Sequence, residues 1–166
     1  NNSSSKSVAD RIEFEDYRSS ENNPFCNPEC RDEGMLINLQ NYINEQNKRD
    51  TLIVLHTMGS HGPAYYKRYP EEFEVFKPIC KTNQLNECSN EQISNSYDNT
   101  ILYTDYFLSK VIELLKRNSQ DSDTAMFYVS DHGESLGEGG LYLHGMPYFM
   151  APNEQIDVPA FMWLDE

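Results

Sequence analysis

Two short apolar runs rich in branched residues, TLIVLH at 51–56 and AMFYVS at 125–130, are separated by one long helical pattern, and that order constrains the fold more than any other feature of the chain. The first run suits a buried strand from Thr51 to Leu55, the second a strand of its own, and VPAFMWL at 158–164 a third. The helical pattern is NEQISNSYDNTILYTDYFLSKVIELLKRN. In it Ile93, Tyr97, Ile101, Leu108, Val111 and Leu115 keep a three-or-four spacing, while Ser89 and Gln92 match a capping box at its start. Met35, Leu36, Leu39, Tyr42 and Ile43 predict a shorter amphipathic helix that ends on Lys48 and Arg49. Strand, helix and strand joined by long connections predict parallel pairing. The expected fold is therefore α/β: a layered, mostly parallel sheet flanked by helices.

A length of 166 residues, 38% of them apolar, fits one domain spanning 1–166, with a polar lead-in over 1–33 and a packed body behind it. Thirteen basic against twenty-seven acidic residues leave a net charge of -14, a field that repels nucleic-acid phosphates and attracts cations. No stretch approaches the roughly 20 apolar residues that cross a bilayer. The chain starts at Asn1 rather than Met and stops directly after VPAFMWLDE, so it reads as a soluble piece of a longer protein.

The cysteines fall into two close pairs, Cys26 with Cys30 and Cys80 with Cys88, inside polar loop sequence. Short-loop disulfides of an exported protein account for them and imply an oxidising compartment. The alternative, a four-thiolate zinc site, would call for two C-x2-C knuckles, which these spacings are not.

In a sheet of this kind, loops leaving the carboxyl ends of the strands gather at one edge, where ligands bind. His56 ends the first strand, with His61 five residues on; Asp131 and His132 end the second, with His144 in the loop that follows. All four histidines and one carboxylate are thus expected at one edge, and imidazole with carboxylate is a donor set that zinc accepts. Other candidates carry less. Ser60 and Ser130 lie near histidines but in no G-x-S-x-G elbow. GESLGEGG lacks the Lys and Ser or Thr of a P-loop. Glu134 and Glu138 are candidate extra ligands, although loop acids are more often just solvated, and Tyr65, Tyr66 and Tyr69 could line a substrate channel but more often pack a loop such as 57–80.

Three segments, VLHTMGSHGPAYYKRYP, SYDNTILYTDYF and YVSDHGESLGEGGLYLHGMP, resemble the periplasmic catalytic domain of lipid A phosphoethanolamine transferases. That family includes the mobile colistin-resistance enzymes and belongs to the alkaline phosphatase and sulfatase superfamily. The resemblance implies a zinc-dependent ping-pong reaction at the periplasmic face of the Gram-negative inner membrane. Phosphoethanolamine would pass from phosphatidylethanolamine to a threonine and then to lipid A, conferring polymyxin resistance. Asp131 and His132 would bind the tightly held zinc. His61 and His144 would bind a second zinc or the phosphoryl group, and His56 would lie beside them; the paired cysteines would be two of the family's disulfides. No threonine here matches the nucleophile motif, Thr57 included. The nucleophile, a glutamate ligand and the membrane-spanning region are expected upstream of residue 1 and the last helices beyond Glu166, so the piece is expected to be inactive alone. Competing readings are a related phosphatase, phosphodiesterase or sulfatase, although the C/S-x-P-x-R motif of a sulfatase is missing, and a metal-binding domain without catalysis.

Overall fold

The computed structural model describes residues 11–46 and 49–165. Lys48, expected near the end of the first helix, and the first ten residues of the polar lead-in lie outside the described residues. A 3-10 turn at Asp32–Leu36 leads into helix α1, Leu39–Glu45, which is shorter than its sequence pattern suggested. The body is organised by α2, Asn90–Asn118, a helix of 29 residues. Its capping box forms as expected: the Ser89 hydroxyl accepts from the Gln92 backbone N–H at 3.2 Å, and the Gln92 side chain accepts from the Ser89 N–H at 2.9 Å.

The buried face of α2 is only half apolar. Ile101, placed on the apolar stripe by its spacing, is 47% exposed, whereas Ser96, Asn99 and Thr100 are buried. These polar groups hold the loop of residues 57–80, whose backbone has few ladder partners of its own. The Ser96 hydroxyl accepts from Cys80 N–H at 2.8 Å, and Asn99 Oδ1 accepts from the N–H groups of Val75 and Phe76 at 3.0 and 2.9 Å. The Thr100 and Ser60 hydroxyls are hydrogen-bonded at 2.7 Å. Apolar contacts complete the attachment: Ile93 of α2 packs with Tyr65, Cys80 and Leu85 in one core cluster. A second cluster, Phe107, Val111 and Met126, joins the carboxyl half of α2 to the sheet, with Leu55 and Trp163 against it.

After α2 the chain forms β1 (Ala125–Val129), β2 (Ser135–Leu136), β3 (Tyr142–Leu143), the single helical turn α3 (Asn153–Ile156) and β4 (Ala160–Leu164). The expectation of helices layered on a sheet is met, but the expected parallel pairing is not: β1 pairs with β4 antiparallel, Val129 opposite Ala160 and Ala125 opposite Leu164. The reason lies in the connection. The 30 residues between them leave the carboxyl end of β1 and return at that same end, so they form an excursion rather than a crossover. The run from Thr51 to Leu55 is likewise not a strand among the described residues. Leu55 reaches the second core cluster, while Leu52 is 90% and Val54 72% exposed.

Both disulfides form as paired in the sequence reading, Cys26–Cys30 and Cys80–Cys88. Cys80 is buried in the first core cluster, so the second bridge ties the loop to the start of α2. With no free cysteine among the described residues, neither a four-thiolate metal site nor a thiol nucleophile remains.

Candidate functional site

The excursion between β1 and β4 and the loop after Leu55 meet beyond the carboxyl end of β1, although the parallel sheet from which that meeting was expected is absent among the described residues. His61 and His144 lie edge to face with ring centroids 5.7 Å apart, and His132 stacks on His144 at 3.6 Å with 28° between planes. Asp131 Oδ1 is 3.7 Å from His132 Nε2. Three of the four histidines and the aspartate are therefore brought together from two distant segments. His56 is exposed at the end of the extended run.

Each histidine is placed by a different device. The loop before His61 is anchored by Asp32, a buried carboxylate that accepts from Met58 N–H and Gly59 N–H, both at 2.9 Å, and from the Tyr17 hydroxyl at 2.6 Å. Arg68 Nε donates to the His61 carbonyl at 2.7 Å and fixes the far side. His132 is set by a close approach of backbones: Gly133 N–H donates to the Gln155 carbonyl at 2.9 Å, and a methyl group at Gly133 would collide with the Glu154 carbonyl oxygen. Gln155 also donates to the Ser135 hydroxyl at 2.9 Å, so the single turn α3 staples the excursion to itself. His144 sits between Leu143 at φ 66° and Gly145 at φ 106°. A left-handed leucine is strained, and such backbone is held in place by its surroundings, often where a side chain must be aimed.

The hydrogen bonds fix which ring nitrogen carries the proton. Nδ1 of His61 lies 2.7 Å from the Gly62 carbonyl and Nδ1 of His132 lies 2.8 Å from the Gly133 carbonyl. A carbonyl only accepts, so Nδ1 donates in both and the Nε2 lone pair is left for a ligand. His144 Nδ1 is 3.0 Å from Glu134 Oε1, which gives the same tautomer with a carboxylate behind it. Of the two readings open for Glu134, the solvated one fails, since its side chain is only 4% exposed. The signal was in the hairpin: Ser135 pairs with Leu143 antiparallel, so the next rung sets Glu134 opposite His144. Glu138 fits its expectation better, being exposed and capping the Leu136 N–H at 2.7 Å. Tyr65 lies beneath the cluster. Burial of its hydroxyl, reinforced by the nearby Glu134 carboxylate, pushes its pKa up.

The donor set suits a zinc ion in part. Two ligands held at about 2.1 Å from one ion lie about 3.4 Å apart, near the 3.7 Å between Asp131 Oδ1 and His132 Nε2. The His132 and His144 rings lie in nearly parallel planes with centroids 3.6 Å apart, so their in-plane lone pairs do not converge on one ion. In keeping with this, no group of three or more His, Cys, Asp or Glu among the described residues is placed to hold a metal. A cavity of about 350 Å³ opens beside the cluster, lined by Asp131, His132, His144, Tyr148 and Gln155 among others. A larger one of about 540 Å³, between Phe25, Arg31, Glu71 and Tyr106, contains none of the histidines.

The chain matches the family described as Sulfatase over residues 1–166. It is 52% identical over 170 residues to the phosphatidylethanolamine transferase Mcr-2 of Escherichia coli, covering 98% of this chain and 32% of that protein. The solved soluble domain of lipooligosaccharide phosphoethanolamine transferase A from Neisseria meningitidis superposes with a TM-score of 0.90 at 44% identity, covering 99% of this chain and 49% of that one. The periplasmic domain of phosphoethanolamine transferase EptC from Campylobacter jejuni does so with a TM-score of 0.78 at 52% identity, covering 81% and 43%. The chain thus spans about a third of the length of the curated relative, at 32%.

Proposed function

The chain belongs to the sulfatase family, and from that premise we propose that it is the part of a phosphoethanolamine transferase that binds metal and phosphoryl group, in a protein that moves the headgroup of phosphatidylethanolamine to lipid A. The observation that carries this reading is the convergence of His61, Asp131, His132 and His144, the histidines in the same tautomer, in a chain half identical to proteins named phosphatidylethanolamine transferases. Since the chain is a fraction of their length, the complete reaction is assigned to a protein of the relatives' size that carries this segment.

Asp131 and His132 would hold zinc, which when bound supplies positive charge for the phosphoryl oxygens and lowers the pKa of a bound hydroxyl. The chain's own residues do the rest. His132 presents Nε2 because its Nδ1–H is committed to Gly133. His144 lines the cavity and His61 packs edge to face against it, and their roles differ by what stands behind them. Glu134 at Nδ1 orients the His144 ring and leaves its Nε2 to take a proton from an attacking oxygen and return it to a departing one. His61, backed by a neutral carbonyl, serves to orient a phosphoryl oxygen. An acidic chain of net charge -14 needs such concentrated positive charge to receive a phosphate at all. Attaching an ethanolamine ammonium to lipid A removes negative charge that cationic polymyxins bind, which is the proposed route to resistance at the periplasmic face of the inner membrane.

Two measurements test the proposal. Titration calorimetry of the 166-residue chain with zinc should show binding that Asp131→Ala and His132→Ala each weaken by at least 10-fold. The full-length protein should release diacylglycerol from a fluorescent phosphatidylethanolamine, and either substitution should abolish it. Retained turnover in Asp131→Ala would overturn the assignment.

A further inference from the structure

We propose that the turn Tyr148–Phe149–Met150 is a membrane-contact element that seats the candidate site at the headgroup–acyl boundary of a zwitterionic phospholipid bilayer; this deepens the transferase reading and rests on it. Tyr148 is 80%, Phe149 85% and Met150 58% exposed, three large apolar side chains in succession. The turn that carries them is closed, not frayed: Met150 N–H and Ala151 N–H both donate to the Pro147 carbonyl, at 2.8 and 2.9 Å, and Pro152 follows. A fixed turn that keeps adjacent aromatic and thioether groups in water marks a contact surface rather than a solvated loop.

The occupant follows from position and charge. Tyr148 also lines the cavity of Asp131, His132 and His144, so the apolar tip is continuous with the mouth of the site. Side chains at a bilayer interface enter about 5–10 Å into the headgroup–acyl boundary. A cavity directly beside such a contact would open at the level of the lipid phosphates, where the proposed donor and acceptor both react. Residues 145–152, GMPYFMAP, carry no charge, and no Lys or Arg follows Arg117 anywhere in the chain. The turn itself therefore offers no cation to anionic lipid, which also repels a chain of net charge -14. The attraction left is apolar, with the amphipathic Tyr ring suited to the interface.

The test is co-sedimentation of the 166-residue chain with phosphatidylcholine vesicles, and with vesicles in which part of the lipid is phosphatidylglycerol. The expected result is partition onto the neutral vesicles, no gain on the anionic ones, and about a tenfold loss in the double variant Phe149→Ser/Met150→Ser, the scale set by withdrawing a partly buried ring and thioether from lipid. A Phe149→Trp variant should shift its emission to the blue when vesicles are added, against the constant background of Trp163. Vesicle binding that is absent in the unaltered chain, or unchanged in the double variant, overturns the proposal. So does a change in sedimentation coefficient of the lipid-free protein on substitution, which would make the turn a contact with a second copy. Asp131→Ala should partition as the unaltered chain does while losing zinc, so a failure of the metal assignment and a failure of membrane contact are read separately.

Discussion

At Gly133 and Gly145 the same added methyl group should fail for different reasons, which separates crowding from backbone conformation. Gly133→Ala drives a Cβ into the Glu154 carbonyl, so the single turn α3 must retreat; a loss of about 1–3 kcal/mol in urea unfolding is expected, with weaker zinc binding at the adjacent His132. At Gly145 there is open space but φ is 106°, so Gly145→Ala should cost about 1–2 kcal/mol from conformation alone. Equal stability of the first variant and the unaltered protein would mean that α3 does not press on the site. Glu134→Gln keeps an acceptor for His144 Nδ1–H but removes the carboxylate charge behind the ring. Imidazole nitrogen shifts in NMR should still report Nδ1–H, while turnover in the full-length protein falls about 10–100-fold. The residue types of the site were readable one by one, because Asp131 and His132 follow an apolar run and His61 and His144 sit in glycine-bearing loops. Glu134 was not, because nothing local separates it from Glu138; only the hairpin register does.

The elements most open to sequence reading are those stabilised locally. The capping box at Ser89 needs only residues three apart, and it forms as written. Ser89→Ala should lower stability by about 1 kcal/mol, and a double-mutant cycle with Gln92→Ala should show coupling between the two halves of the box. The bridge Cys80–Cys88 closes a short loop onto a buried cluster, and replacing both cysteines by alanine should cost about 2–4 kcal/mol by thermal unfolding, more than the same change at Cys26 and Cys30, where the separation is 4 rather than 8. Strand direction, by contrast, depends on where a distant segment returns. Thirty residues between β1 and β4 read as a crossover, although two hairpin strands and one helical turn absorb them at one end of the ladder. The run at 51–55 has the composition of a strand, but it pairs in no ladder among the described residues. Pattern identifies an extended apolar segment; hydrogen bonds make it a strand.

Across the whole molecule, buried phenols set an upper pH limit. Burial together with the Asp32, Glu134 and Glu33 carboxylates raises the pKa of Tyr17, Tyr65 and Tyr103 respectively. Each holds its proton more tightly folded than unfolded. Stability is therefore complete below the unfolded value of about 10 and falls as pH rises above it, where the native state binds more protons. Absorbance at 295 nm and far-ultraviolet circular dichroism should show these tyrosines ionising together with unfolding; ionisation with the fold intact would contradict it. One face of the β1–β4 pair, with Phe127, Val129, Met162 and Leu164, is exposed and apolar, as are Leu52 and Val54.

Because Val129 and Ala160 share a rung, everything from Ser130 to Pro159 begins and ends at one fixed point of the scaffold. The length of that stretch is not dictated by the helix or the ladder behind it. It behaves as an interchangeable cassette: a new substrate preference could be installed by swapping it whole, while the frame that folds around α2 stays as it is.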